Sequence, residues 1–232
     1  MRATTAKGRD VVSLTEAEHV FAGPHESGVN DLFTAVFTAR PRLLNYASFV
    51  STSVSVTNIP PISFPMVGNI HYAVLFSIPV ADFHPDSSGG MPPPLTLAPG
   101  EFSVRTTVTL ILFCQGERKG RDEPTTTTHM PTPSTAPIIA KLDVWGVGAP
   151  VVTTFAPGSG EITFRLRAVE LVDVAPDELE SLLECLIRML LDAVLQQVRL
   201  PFSALNADFF LLNLLRGPEV EDDQAKLYGD IV

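Results

Sequence analysis

The chain has 232 residues, a formal net charge of −10, 18% charged residues and 20 prolines. That balance excludes a basic nucleic-acid-binding face and simple electrostatic docking to anionic lipid. The length is enough to bury a substantial core.

Residues 1–10 (MRATTAKGRD) read as a disordered arm, and 11–232 as a single α+β domain. No apolar stretch of signal-peptide type follows the arm. No run approaches the ~18 apolar residues of a transmembrane helix. An intracellular, soluble protein is therefore expected. Val11–Leu14 reads as a short strand or lead-in, and Thr15 with Glu18 as a capping box opening a brief helix that ends before Gly23-Pro24. Ser27 then caps a better helix with Val29, Leu32, Phe33, Val36 and Phe37 on one face, stopped by Pro41.

From Phe49 to Val172 the pattern is that of strands. Val54, Val56 and Asn58 alternate with Ser53, Ser55 and Thr57 until Pro60-Pro61. Ile70 to Val80 is a strand with an edge or bulge at Pro79. A Pro/Gly-rich loop covers 82–100, and Phe102 to Phe113 is a further strand. The segment 116–137, with its Thr/Pro tract, is a long loop of low complexity. Ile138–Trp145 and Val151–Phe155 read as a strand pair joined through Gly146, Gly148 and Pro150. After Gly158-Ser159-Gly160 a strand carries Ile162, Phe164, Leu166 and Ala168 inward, and a shift of apolar phase places a bulge near Ala168-Val169.

The strongest signal lies at 177–198. Leu179, Leu182, Leu183, Leu186, Ile187, Leu190, Leu191, Val194, Leu195 and Val198 recur at helical spacing, about six turns and roughly 33 Å of rod. Glu180, Glu184, Arg188, Asp192 and Gln196 form the opposite, polar face. Phe209 to Leu215 then reads as a strand apolar on both sides. Gly217-Pro218 turns the chain, and Gln224 to Ile231 alternates cleanly.

No motif carries chemistry. His84 to Gly90 contains a split Asp-Ser-Gly-Gly in a Pro-rich loop that supplies neither a rigid elbow nor an oxyanion hole. Gly158-Ser159-Gly160 lacks the spacing of a nucleophile elbow. His19, His25, His71, His84 and His129 lack ligand spacing, so no metal site and no cofactor are expected. Cys114 and Cys185 have no spacing that demands a bridge; two buried thiols are the expectation. Glu219, Glu221, Asp222 and Asp223 fit an acidic turn better than a cation loop. The two-sided strand at 209–215 needs cover on both faces, from the protein's own core, from an apolar ligand or from a subunit interface.

The helix at 177–198, the crossing Arg199-Leu200-Pro201-Phe202, the strand Phe209–Leu215 and the closing Gln224–Val232 resemble the final part of the TULIP superfamily, the BPI/SMP-type tubular lipid-binding modules. Val11–Leu14 and the helix from Val29 to Ala39 match the beginning of such modules. The resemblance implies a twisted antiparallel sheet wrapped on a long amphipathic C-terminal helix, with a shorter N-terminal helix and an elongated helix–sheet seam that accepts acyl chains. Together these readings give a non-enzymatic module that binds a lipid or other apolar small molecule. Leu183, Ile187, Val194, Phe210, Leu212 and Leu214 are its expected lining. The alternative is a structural subunit, with a protein partner or further copies of itself ordering the loops at 82–100 and 116–137.

Overall fold

The structure, a computed structural model, describes residues 20–49, 54–64, 68–83, 90–115, 136–156, 159–172, 174, 177–202, 212–221 and 223–231. Strand β1 (Val20–Ala22) leads into helix α1 (Glu26–Ala39). A helix was expected to run to Gly23, but Val20 and Phe21 are extended and pair with residues 228–229 near the other end of the chain. Val11–Leu14 and the capping box lie outside the described residues. The cap of α1 is His25, not Ser27: its ring accepts the Ser27 N–H at 3.2 Å. The apolar face is the expected one, with Val29, Phe33 and Phe37 buried. Beyond Arg40 a single tighter turn, Pro41–Leu43, delivers the chain to β2 (Asn45–Ala47).

Prolines set the next boundaries because they cannot donate to a ladder. Around Pro60-Pro61 only β3 (Thr57–Asn58) and β4 (Ile62–Phe64) form. Pro79 divides the strand expected at 70–80 into β5 (Gly68–Phe76) and β6 (Val80–Asp82). β7 (Phe102–Gln115) runs antiparallel to β5 and to β8 (Ile138–Ala156). β8 is one strand of 19 residues, which corrects the expected pair joined at 146–150. Its glycines serve close approach rather than turning. A Cβ on Gly148 would run into the Arg165 carbonyl, and one on Gly146 would stand 2.9 Å from Val104 Cγ1.

β9 (Ser159–Leu171) pairs with β8, and its register slips where Val147 and Gly148 face Ala168 and Leu166. The extra residue is Arg167, beside the expected bulge. Arg167 reaches Glu101 and, at 2.6 Å, the Thr96 carbonyl, tying the Pro-rich excursion to the sheet. Burial alone would raise the Glu101 carboxyl, but the Arg167 guanidinium and the Ala98 N–H together hold it below its usual value.

Helix α2 (Asp177–Leu195) has 19 residues, so the six-turn rod over 177–198 is not formed. The chain tightens at its end, with Val198 N–H bonded to the Leu195 carbonyl at 3.0 Å. β10 (Leu200–Pro201) pairs with β9. β11 (Leu212–Glu221) and β12 (Gln224–Ile231) form a hairpin. Gly217-Pro218 lies within β11, where register breaks on both sides of Arg216 absorb it. The turn is instead at Asp223, which takes φ 61°, a left-handed conformation that a short polar side chain tolerates.

Among the described residues the main sheet has nine strands, in the order β10-β9-β8-β7-β5-β2-β3, with β4 on β5 and β6 on β7. The β2–β3 pair is parallel, so this sheet is mixed rather than wholly antiparallel. The second sheet, β1-β12-β11, brings the beginning and end of the chain together. One apolar cluster joins α1, α2 and a face of the main sheet. At its centre Phe164 meets Phe33 and Phe102 edge-on, at 5.8 and 5.6 Å between ring centroids. A smaller cluster of Ile162, Phe202 and Leu227 joins the two sheets.

Candidate functional site

Both helices use polar side chains to satisfy strand edges that no further strand covers, an arrangement that blunts an open edge. On α1, Asn30 makes two 2.8 Å bonds with the Ala81 backbone, and Glu26 accepts the Phe83 N–H at 3.0 Å. On α2, Asp192 accepts the Leu166 N–H at 2.8 Å and Glu184 the Leu171 N–H at 3.3 Å. Beyond its short pairing with β10, β9 is therefore capped by carboxylates. The polar strip of α2 runs along the sheet edge, with Glu184 and Asp192 half-buried and Arg188 exposed. Two large apolar side chains lie on the outward side of α2: Leu182 is 67% exposed and Met189 60%, with Cys185 exposed between them.

Between this strip and β9 runs a groove of about 460 Å³. Leu166, Ala168 and Val169 form one wall; Cys185, Arg188 and Met189 are on the other. Arg188 is exposed and has no ion-pair partner among the described residues. At the end of the seam the carboxylate oxygens of Glu170, Glu180 and Glu184 lie within 4.8 Å of one another. Burial first, then the charges of Glu184 and Glu180 and a hydrogen bond to Glu184, push the Glu170 carboxyl up to about 7. Such a trio has the oxygen chemistry of a hard-cation site. Here the Glu170 proton and the commitment of Glu184 to the Leu171 N–H oppose that use near neutral pH.

Of the expected lining, Ile187 and Val194 are 1% and 0% exposed and belong to the core cluster, with Leu183 half-buried at its margin. Leu214 is half-buried against the smaller cluster of Ile162, Phe202 and Leu227, apart from those three. The backbone of Leu212 pairs with Ile231 in β11. Phe210 and the side chain of Leu212 lie outside the described residues. The groove residues Ala168, Val169, Arg188 and Met189 were not foreseen. Their signal is the spacing of Glu180, Glu184, Arg188 and Asp192 at i, i+4, i+8 and i+12 along one flank of the helix.

One constellation has the look of a catalytic pair. Ser48 Oγ stands 3.3 Å from His71 Nδ1. Both residues are buried, His71 stacks on Phe113, and Ser48 Oγ accepts the Tyr72 N–H at 2.8 Å. The pair pins the chain after β2 to β5 and lines none of the grooves described. The segment His84 to Gly89 lies outside the described residues. Cys114 and Cys185 are both exposed and not joined in a disulfide, which corrects the expectation of burial. In the acidic hairpin Glu219 pairs with Arg216 at 3.4 Å and Glu221 with Lys226 at 3.3 Å. Among the described residues no helix is long and apolar enough to cross a membrane.

No protein-family model matches the chain, and no curated protein matches it in sequence. Among solved structures it is similar to one described as the crystal structure of lipopolysaccharide binding protein, at 10% identity and a TM-score of 0.29. That match covers 92% of this chain and 50% of the other, so the chain spans about half the length of that protein.

Proposed function

We propose that the protein is a non-enzymatic binding module that takes a lipid-like or other apolar small molecule in the groove between α2 and β9. The observation that carries this reading is a furrow of about 460 Å³ with Leu166, Val169 and Met189 in its walls. A volume of this size accommodates a small ligand. An acyl or comparable chain would lie along β9, and the exposed Arg188 guanidinium at the rim would suit an acidic head group. The seam beneath α2, where the ligand was first expected, is occupied by Ile187, Leu191 and Val194, so the ligand would bind beside the core and not inside it. The carboxylates near the groove are engaged with backbone or with one another, which favours binding over catalysis.

Uptake of a fluorescent fatty acid, with native mass spectrometry of gently purified protein, tests the proposal. Ala168→Trp fills the groove and should abolish uptake while thermal stability is retained. An unliganded mass together with no uptake by the unsubstituted protein would end it. The second reading, an assembly subunit, is favoured by Ile138 and Ile139, which are both largely exposed at the start of β8.

A further inference from the structure

We infer that the start of α2, as far as Leu186, is a latch on the end of β9, closed while the carboxyl cluster of Glu170, Glu180 and Glu184 holds a proton and open once that proton leaves. Helix α2 is anchored unevenly along its length. In its second half Ile187, Leu191, Val194 and Leu195 are at most 1% exposed, and Asp192 accepts the Leu166 N–H at 2.8 Å. From Glu180 to Leu186 no side chain is buried, and Leu183 and Leu186 rest only against the margin of the core. A helix end with so little buried apolar surface opens more readily than the rest of the molecule. Its polar tie to the sheet is the Leu171 N–H, which Glu184 accepts at 3.3 Å.

The charges around that tie change with one proton. The carboxylate oxygens of the three glutamates lie within 4.8 Å of one another, across the join of β9 and α2. Burial, then the charges of Glu184 and Glu180 and a hydrogen bond to Glu184, keep the proton on Glu170 up to about 7. With the proton in place a hydrogen bond joins strand to helix; without it three like charges face one another. Among the described residues no cation is ion-paired with the three. On β8 Glu170 has Trp145 across from it, with Asp143 at the adjoining position of the same face. Arg105 of β7 lies over the Trp145 ring at 5.1 Å and is engaged with Asp143 at 3.7 Å. The flanking Ala168 and Val172 of β9 are uncharged, and Arg188 is exposed a turn beyond Glu184. The repulsion therefore falls on the least anchored part of α2, and Ile187 marks where the lifting stops. Opening would widen the groove from its Glu184 end; that effect on uptake rests on the binding reading above, but the latch itself does not.

The test is native-state hydrogen exchange of the ligand-free full chain, read residue by residue against Glu170→Gln at the same pH, so that the intrinsic chemistry of exchange cancels. At about pH 8 the Leu171 amide and those of 183–186 should exchange roughly tenfold faster in the unsubstituted protein than in the variant. The amides of 191–195 should exchange equally in both. At about pH 5, where Glu170 keeps its proton, the two proteins should agree throughout. Glu180→Gln removes a facing charge and leaves the Leu171 acceptor in place, so it should reduce the difference at the higher pH. Equal exchange at Leu171 and 183–186 in protein and Glu170→Gln at the higher pH would overturn the inference. So would faster exchange spread evenly over both halves of α2 and over β8, which is loss of the whole fold and not a latch. Because no ligand is added, either failure leaves the uptake experiment to decide the binding proposal by itself.

Discussion

Glu170 shows how one side chain can make stability depend on pH. Folding raises its carboxyl from the ordinary 4.5 to about 7, chiefly through burial and then through the facing Glu184 and Glu180 of α2. On β8 its cross-strand neighbour is the uncharged Trp145. The folded state therefore holds the proton more tightly than the unfolded chain does. The stabilisation is complete below about 4.5, declines as pH rises through about 7, and is gone above that. Glu170→Gln should accordingly leave the melting temperature little changed at pH 4.5 and raise it at pH 8. Melting curves across that interval check this, and a parallel pH dependence in protein and variant would contradict it. Nothing in the local sequence marks Glu170, which reads as an outward residue of an alternating strand. Its properties come from α2 returning along the β9 edge, a long-range contact that periodicity does not encode.

At the scale of elements, the sequence is legible where apolar period and backbone chemistry agree. The buried face of α1, the division at Pro79 and the bulge at Arg167 follow from such agreement. The same reasoning fails at Gly146 and Gly148, because a glycine used for close packing has the same letter as one used for turning. Two alanine substitutions separate these uses. Gly148→Ala forces a Cβ against the Arg165 carbonyl and should destabilise the protein by about 1–3 kcal/mol, as overpacking does. Gly28→Ala, on α1 with nothing within 4 Å of the added Cβ, should stabilise it by roughly 0.4–1 kcal/mol by restricting the unfolded chain. Urea denaturation of the two variants gives the comparison, and equal signs would refute the distinction. The partner of the polar face of α2 is illegible in the sequence for a related reason. Helical spacing shows that Glu184, Arg188 and Asp192 share a flank, but it cannot distinguish water from an unpaired strand edge as the partner of that flank.

Over the whole molecule, the two sheets share two apolar clusters, Val220 and Ala225 of the small sheet lying in the larger and Leu227 in the smaller. β12 pairs with β1 on one side and β11 on the other. The Glu26 N–H is bonded to the Asp223 carbonyl at 2.8 Å, and the Ala225 N–H to the Pro24 carbonyl at 3.1 Å, so the start of α1 is held by the last hairpin. Leu227 is fully buried and packs with Ile162 of β9 and Phe202 beyond β10, joining the small sheet to the main one. The sequence shows Leu227 as an inward position of an alternating strand, but not that its layer is a separate sheet built on residues two hundred positions earlier. Truncating this side chain removes apolar contacts from both layers at once and leaves a cavity between them. Leu227→Ala should therefore cost about 2–5 kcal/mol, the usual range for a buried leucine. The loss should appear in both sheets. Native-state hydrogen exchange should show protection falling together at Val20–Ala22, along β12 and at Ile162, since the small sheet has little apolar surface of its own to keep it folded. Protection lost from β1 and β12 alone, with Ile162 unchanged, would mean that the main sheet and its helices stand without the terminal sheet.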